Sequence, residues 1–162
     1  MQDAGFISLL EQAPLGQVIA ATRRRIKQAL WAHLVDEGLT PQQYWVLMVL
    51  MEHGGHSLHE LAQRVWIDDP TACRIVKGLS ARGLITSRPA PGRGRRNLIE
   101  LAPGTEALQA RIRAVASRVR GAVEAELEDK EKAQLRASLL KVIAGMDALE
   151  AKAAPRRKAA NG

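Results

Sequence analysis

Cysteine and aromatic residues are scarce in this chain of 162 residues. It contains one cysteine, and only 3% of its residues are aromatic. A single cysteine excludes a disulfide framework within the chain and favours a reducing compartment. The few aromatic residues, beside abundant alanine and leucine, argue against a β-sandwich and favour a mainly α-helical protein.

Long apolar runs are absent as well. No stretch approaches the roughly 20 apolar residues that a membrane span requires, and residues 1–10 lack the basic segment and apolar run of a signal peptide. We therefore expect a cytoplasmic protein with no membrane partner.

Motifs of catalysis are absent too. The sequence shows no catalytic order of nucleophile, histidine and acid, no glycine-rich phosphate loop and no carboxylate pair in an apolar setting. We expect neither an enzyme nor a bound cofactor.

Positive charge is concentrated between Arg64 and Ile99. This window holds eight basic residues against two acids, Asp68 and Asp69, in a chain whose formal net charge is +7. Such a concentration on a short helix and a following loop is typical of proteins that bind duplex DNA. The basic residues are Arg64, Arg74, Lys77, Arg82, Arg88, Arg93, Arg95 and Arg96.

Helix signals surround this basic window. Apolar residues recur every three to four positions over residues 15–34 and predict one long amphipathic helix, which Gly38 ends. Capping boxes at Thr40 and Ser57 open a second and a third helix. Asp68 or Asp69 caps a fourth helix, which runs to Gly83. Further stripes over residues 108–127 and 135–149 predict two more long helices.

Two β-strand signals, at residues 84–88 and 97–101, flank a basic loop. The order of elements predicts a mainly α winged helix-turn-helix, with long N- and C-terminal dimerisation helices and a small wing of two or three strands. We expect a single domain over residues 1–152, with a winged DNA-binding lobe at about 40–102 and dimerisation helices at about 6–37 and 104–152. A disordered basic tail follows at 153–162. Because one small lobe offers little surface for three apolar stripes, we expect a two-fold homodimer.

The fourth helix carries the main candidates for DNA contact. Successive residues are about 100° apart on a helix, which directs Arg74 and Lys77 away from the core. Arg74 can donate two hydrogen bonds to guanine, Thr71 offers a hydroxyl or a methyl group, and Lys77 suits a phosphate. The core-facing positions would be Ala72, Ile75, Val76 and Leu79. The full set of DNA-binding candidates is Ser57, Pro70, Thr71, Arg74, Lys77, Arg88, Arg93, Arg95 and Arg96.

Four segments, in order and spacing, resemble the MarR (multiple antibiotic resistance regulator) family. The resemblance covers about residues 15–108 and implies a homodimeric repressor. Its recognition helices would enter successive major grooves of a pseudo-palindromic operator, and its wings would touch the flanking minor grooves. Thr71 and Arg74 carry over, and Arg95 matches the family's wing arginine, whereas Ala90 and Arg93 occupy positions where the family usually has aspartate. The segments are Leu39-Thr40-Pro41-Gln42-Gln43-Tyr44, Leu61-Ala62, Arg82-Gly83-Leu84-Ile85 and Leu101-Ala102-Pro103-Gly104.

The resemblance also implies that a small aromatic carboxylate binds between the dimer helices and the winged lobe and releases the DNA. An arginine would pair with the carboxylate and Trp45 would stack on the ring. Packing in the core is the alternative for Trp45 and Met48. The effector-binding candidates are Gln17, Arg24, Trp45, Met48 and Arg111.

Two other kinds of sensor are alternatives. His53, His56 and His59 stand three apart and could bind zinc, but Gly54 and Gly55 interrupt any shared face, so solvent-exposed turn histidines are the favoured interpretation. Cys73 lies near a helix N-terminus beside Arg74, where a thiol becomes easier to oxidise. The alternatives to an aromatic-acid sensor are therefore a metal-responsive or a cysteine-redox repressor. A further alternative is a non-specific architectural DNA-binding protein.

Overall fold

The computed structural model describes residues 3–89 and 97–160, and confirms a mainly helical winged fold. None of the helices in these two ranges is long and apolar enough to cross a membrane. The elements, in chain order, are α1 (Asp3–Glu11), α2 (Leu15–Leu34), α3 (Pro41–His53), α4 (Leu58–Arg64), α5 (Asp69–Ala81), β1 (Ile85–Pro89), β2 (Asn97–Leu101), α6 (Glu106–Glu124) and α7 (Asp129–Ala160).

The N-terminal segment contains two helices rather than one. Helix α1 ends at Glu11 and α2 begins at Leu15. Pro14, directly before α2, has an extended conformation with ψ of 140°. Proline lacks a backbone N–H, and its ring clashes with the carbonyl four residues earlier, so a helix cannot pass through it without distortion. The expected segment 6–37 therefore consists of a short helix, a break and a helix of 20 residues.

Side-chain caps fix where the three short helices begin. Both predicted capping boxes are present, Thr40 with Gln43 at α3 and Ser57 with Glu60 at α4. Asp68, rather than Asp69, caps α5 by accepting a hydrogen bond from the Thr71 N–H. These caps satisfy backbone donors that a helix leaves without a partner in its first turn. Helix α5 ends at Ala81, two residues before the expected Gly83.

The turn between α4 and α5 is unusual because of Trp66. The Ile67 N–H donates to the Ala62 carbonyl and the Trp66 N–H to the Gln63 carbonyl, which is the Schellman pattern of a helix end. Its left-handed position normally holds glycine. Trp66 occupies it with φ of 57°, and no other non-glycine in the described ranges has a positive φ. A left-handed conformation costs an L-residue roughly 1–2 kcal/mol.

Strands β1 and β2 form an antiparallel hairpin in which Arg88 pairs with Leu98. The wing, for which two or three strands were expected, has these two strands in the described ranges, and an isolated bridge joins His56 to Ile99. Gly55 makes this close approach possible, because a Cβ atom there would lie 2.7 Å from the Glu100 Cγ atom and 2.8 Å from the Leu98 Cγ atom. Only glycine fits such a position without a shift of its neighbours.

One apolar core joins the α2–α6 region. Apolar side chains from each of the elements between α2 and α6 are almost completely buried in it. Burial of each large apolar side chain stabilises the fold by about 1.5–3 kcal/mol. This core holds α4, α5 and the hairpin in fixed positions, and thereby presents the outer face of α5 to solvent. The most deeply buried large side chains are Leu30, Leu34, Leu39, Val46, Leu47, Leu61, Leu79 and Ile112.

The chain divides into two compact units, Met1–Val119 and Arg120–Gly162. The single domain expected over residues 1–152 stays a prediction. In the second unit, α7 continues to Ala160, so the backbone of residues 153–160 is helical instead of disordered. The apolar stripe of α7 is 37–61% exposed at Leu135, Leu139, Ile143, Met146 and Leu149.

Candidate nucleic-acid interface

The outer face of α5 has the side chains that the sequence predicted. Ala72 and Leu79 are buried, and Ile75 and Val76 are partly buried against the core. The flanking positions Thr71, Cys73 and Gly78 are half-buried. Pro70, Arg74, Lys77 and Ala81 are exposed on this face, and Asp69 and Ser80 on α5 are exposed as well.

Hydrogen bonds organise the first turn of α5. The Thr71 N–H donates to the Asp68 Oδ1 atom over 2.6 Å, and the Arg74 Nη2 atom donates to the Thr71 Oγ1 atom over 3.2 Å. Hydrogen bonding from Thr71, with a smaller contribution from the charge of Arg74, lowers the pKa of Asp68 below its ordinary 3.8. Asp68 thus stays ionised as the cap, and the guanidinium of Arg74 lies along the start of the helix.

Ser57 is half-buried and already part of the α4 cap. Its Oγ–H donates to the Glu60 Oε2 atom over 2.8 Å, and the Glu60 N–H donates to its Oγ atom over 3.3 Å. The hydroxyl proton is therefore used inside the cap and is not free to reach a phosphate in this conformation. A DNA contact at Ser57 stays a prediction.

Two of the three candidate histidines, His53 and His56, are in edge-on ring contact, with centroids 6.2 Å apart. His56 is buried, and its Nδ1 atom lies 2.8 Å from the Gly54 carbonyl oxygen, so the expectation of a solvent-exposed turn residue is wrong for His56. The bridge to Ile99 draws it inwards. His59 is exposed and hydrogen-bonded to Asp69, while His53 is exposed beside Glu52. In the described ranges no three residues of the His, Cys, Asp and Glu types are grouped to hold a metal.

An ion pair spans the hairpin. Arg88 donates from Nε to the Glu100 Oε2 atom over 2.6 Å and from Nη2 to the Oε1 atom over 2.9 Å. The hydrogen bonds from Arg88 lower the pKa of Glu100, and Glu100 raises that of Arg88. Sequence analysis missed Glu100, which lies one residue beyond the basic window; the hairpin register, which makes it a diagonal neighbour of Arg88, is the signal that could have identified it.

The remaining wing candidates, Arg93, Arg95 and Arg96, lie outside the described residues.

Arg82 has a structural role that the charge pattern does not reveal. Its Nη1 atom donates to the Gly38 carbonyl over 2.7 Å and its Nη2 atom to the Glu37 carbonyl over 2.9 Å. The fork of one guanidinium thus attaches the end of α5 to the α2–α3 connection.

The effector-binding candidates differ in exposure and in the partners that they contact. Gln17, Arg24 and Trp45 are exposed, and Trp45 packs edge-on against Tyr44 with ring centroids 5.0 Å apart. Met48 is buried in the core. Arg111 donates from Nε to the Glu37 Oε1 atom over 2.7 Å, so this guanidinium already has a carboxylate partner.

Comparisons with known proteins agree on one family. The MarR family model matches residues 37–96. The HTH-type transcriptional repressor NicR of Pseudomonas putida is 31% identical over 94 residues, which cover 58% of this chain and 60% of the repressor, so the match spans about three-fifths of that relative's length.

Solved structures extend the similarity to most of the chain. Transcriptional regulator PA3341 is 30% identical with a TM-score of 0.77, and the alignment covers 83% of this chain and 98% of that one. The PcaV transcriptional regulator of Streptomyces coelicolor, solved in complex with its natural ligand, is 27% identical with a TM-score of 0.69, over 83% and 94% of the two chains. The architecture and the exposed face of α5 define a winged helix-turn-helix protein. The chain belongs to the MarR family.

Proposed function

We propose that this protein is a homodimeric transcriptional repressor that binds a pseudo-palindromic DNA operator and leaves it when a small aromatic carboxylate binds. The exposed face of α5 carries the DNA-binding part of this proposal. It combines a capped N-terminus with two outward cations, Arg74 and Lys77, on an otherwise core-anchored helix. Residues near the start of such a helix reach base edges in the major groove.

The residues of α5 divide the work of binding. Arg74, in the second turn, reads a guanine through a bidentate contact, and Thr71 supplies the adjacent hydroxyl. Lys77, one turn later, contacts a phosphate, which adds affinity without sequence preference. Arg93, Arg95 and Arg96, in the loop between the strands, enter a minor groove of enhanced negative potential.

The dimer rests on the helices outside the winged lobe, α1, α2, α6 and α7. The support from the structure is the apolar stripe of α7, with Leu139 and Ile143 37% and 42% exposed. A stripe at helical spacing that is left in water is destabilising, and a second copy of the chain covers it in a two-fold arrangement.

The effector is proposed to bind near α2 and α3. Arg24 pairs with its carboxylate and Trp45 stacks on its ring, because both side chains are exposed, whereas Arg111 is paired with Glu37 and Met48 is in the core. Similarity to PcaV, which was solved with its natural ligand, supports a ligand-responsive regulator. Gln17, two turns before Arg24 on α2, shares its helix face and supplies a polar contact.

Selection of duplexes from a random pool, followed by affinity measurements at fixed salt, tests this function. We expect one enriched palindromic sequence. Arg74→Ala should lose about 1–3 kcal/mol on the selected duplex and relax the preference at one base position. Arg113→Ala, which removes an equal charge from an exposed position on α6, is the control and should bind normally. Equal affinity for selected and scrambled duplexes would instead indicate a non-specific architectural protein.

A further inference from the structure

Trp66 has an exposure and a backbone conformation that packing in the core does not account for. Its side chain is 77% exposed, although it is the largest side-chain type, and its backbone is left-handed. The Schellman hydrogen bonds that hold this turn come from backbone atoms, and glycine would make them without strain. A strained backbone at an exposed aromatic residue points to a use of the side chain outside the core.

The position of Trp66 indicates what it contacts. It lies two residues before Asp68, the cap of α5, and two residues after the exposed Arg64 at the end of α4. The turn thus leads directly into the helix that carries Arg74. The two acids next to it are both engaged, since Asp68 accepts the Thr71 N–H and Asp69 is bonded to His59.

We propose that Trp66 contacts the sugar–phosphate backbone of duplex DNA beside the groove that α5 enters. Its indole N–H donates to a phosphate oxygen, and its ring lies against the adjoining deoxyribose. This inference rests on the proposed DNA-binding function. Indole is a hydrogen-bond donor without an acceptor, which suits phosphate, and such contacts fix the register of a protein on the duplex without reading bases.

Two substitutions separate this role from a structural one. Trp66→Gly should raise the midpoint of urea unfolding, because it relieves the left-handed strain, and yet weaken binding to selected and scrambled duplexes alike. Trp66→Phe keeps the ring and the strain but removes the donor. It should lose about threefold to tenfold in affinity, the usual net contribution of one hydrogen bond. Because indole is uncharged, neither variant should change the slope of log affinity against log salt.

Fluorescence provides a second readout. Addition of the selected duplex should change tryptophan emission in the wild-type protein by more than in Trp66→Phe. If Trp66→Gly binds both duplexes as tightly as the wild type, the inference is wrong while the proposed function stands. If the wild-type protein binds no duplex at all, the proposed function fails and this inference fails with it.

Discussion

Arg88 on β1 and Glu100 on β2 form a two-pronged ion pair across the hairpin, with donor–acceptor distances of 2.6 and 2.9 Å. Half of the Arg88 side chain and a third of the Glu100 side chain are exposed. The pair therefore lies at the solvent-exposed surface of the hairpin. Arg88, which the sequence counts in the basic window, is thus neutralised by the carboxylate of Glu100 in the folded protein.

The first prediction concerns this balance. Glu100→Gln should strengthen binding to selected and scrambled duplexes and steepen the log–log salt slope by about one, because Arg88 is released to a phosphate and a negative charge is removed. Glu126→Gln, at an exposed position in the second unit, is the control and should bind as the wild type does. Weaker binding by Glu100→Gln would mean that Arg88 needs its brace in order to contact DNA.

The second prediction is a pH dependence of stability. Arg88 lowers the pKa of Glu100 below its ordinary 4.5 in the folded state. A depressed carboxyl pKa stabilises the fold above the unfolded-state value, and this contribution disappears as the pH falls through the folded-state value. The difference in unfolding free energy between the wild type and Glu100→Gln should therefore shrink as urea titrations move from about pH 6 to about pH 3. A constant difference over that range would contradict the ion pair.

The third prediction concerns Arg82. Arg82→Lys should lower the free energy of unfolding by about 1–2 kcal/mol, because an ammonium group cannot reproduce the planar fork that reaches both the Glu37 and Gly38 carbonyls. Arg113→Lys is the matched control and should be neutral. Because the charge is kept, DNA affinity measured well below the unfolding midpoint should change little. A large loss of affinity at unchanged stability would instead place Arg82 in the DNA interface.

Local rules account for much of the fold. The caps at Thr40, Ser57 and Asp68 depend on residues three positions apart, and the inward and outward positions of α5 follow from helical geometry. These features can be derived from sequence because every partner is local. The break before α2 also has a local cause, since Pro14 lacks a backbone donor and its ring disfavours a continuous helix.

The features that sequence analysis missed depend on contacts distant in sequence. Arg82 reaches residues more than 40 positions away, and Arg88 finds Glu100 only through the register of the hairpin. His56 is buried because a bridge to Ile99 closes over it. Charge counting treats Arg82 as part of the solvated basic surface, and the position of His56 beside Gly54 and Gly55 predicts an exposed turn residue. The left-handed conformation of Trp66 had no sequence signal at all, because glycine is the residue that normally marks it.

The fourth prediction concerns oligomeric state. Leu139→Glu with Ile143→Glu should convert the protein from dimer to monomer in analytical ultracentrifugation, because two carboxylates would enter the proposed apolar interface. Lys141→Glu, at an exposed position between them, changes charge without removing apolar surface and should stay dimeric. DNA affinity should fall when dimerisation is lost, since each protomer then binds a single half-site on its own. If the double variant stays dimeric, α7 is not the interface.

The fifth prediction concerns the effector. An aromatic acid of the size of salicylate or hydroxynicotinate should quench Trp45 fluorescence in the DNA-free protein and lower its affinity for the selected duplex. The ligand would hold the two α5 helices away from the roughly 34 Å separation that successive major grooves require. Linkage demands that the duplex weaken ligand binding by the same factor.

Variants on α2 and α3 identify the site of that effect. Arg24→Gln should lose the response to the acid because the carboxylate loses its partner, whereas Arg23→Gln, at a neighbouring exposed position on a different face of α2, should keep it. Trp45→Phe should lose the quenching but retain part of the release, since phenylalanine still stacks. If a panel of such acids at millimolar concentration causes neither quenching nor release, the aromatic-acid sensor is wrong. Oxidation of Cys73, half-buried on the flank of α5, would then be the next response to measure.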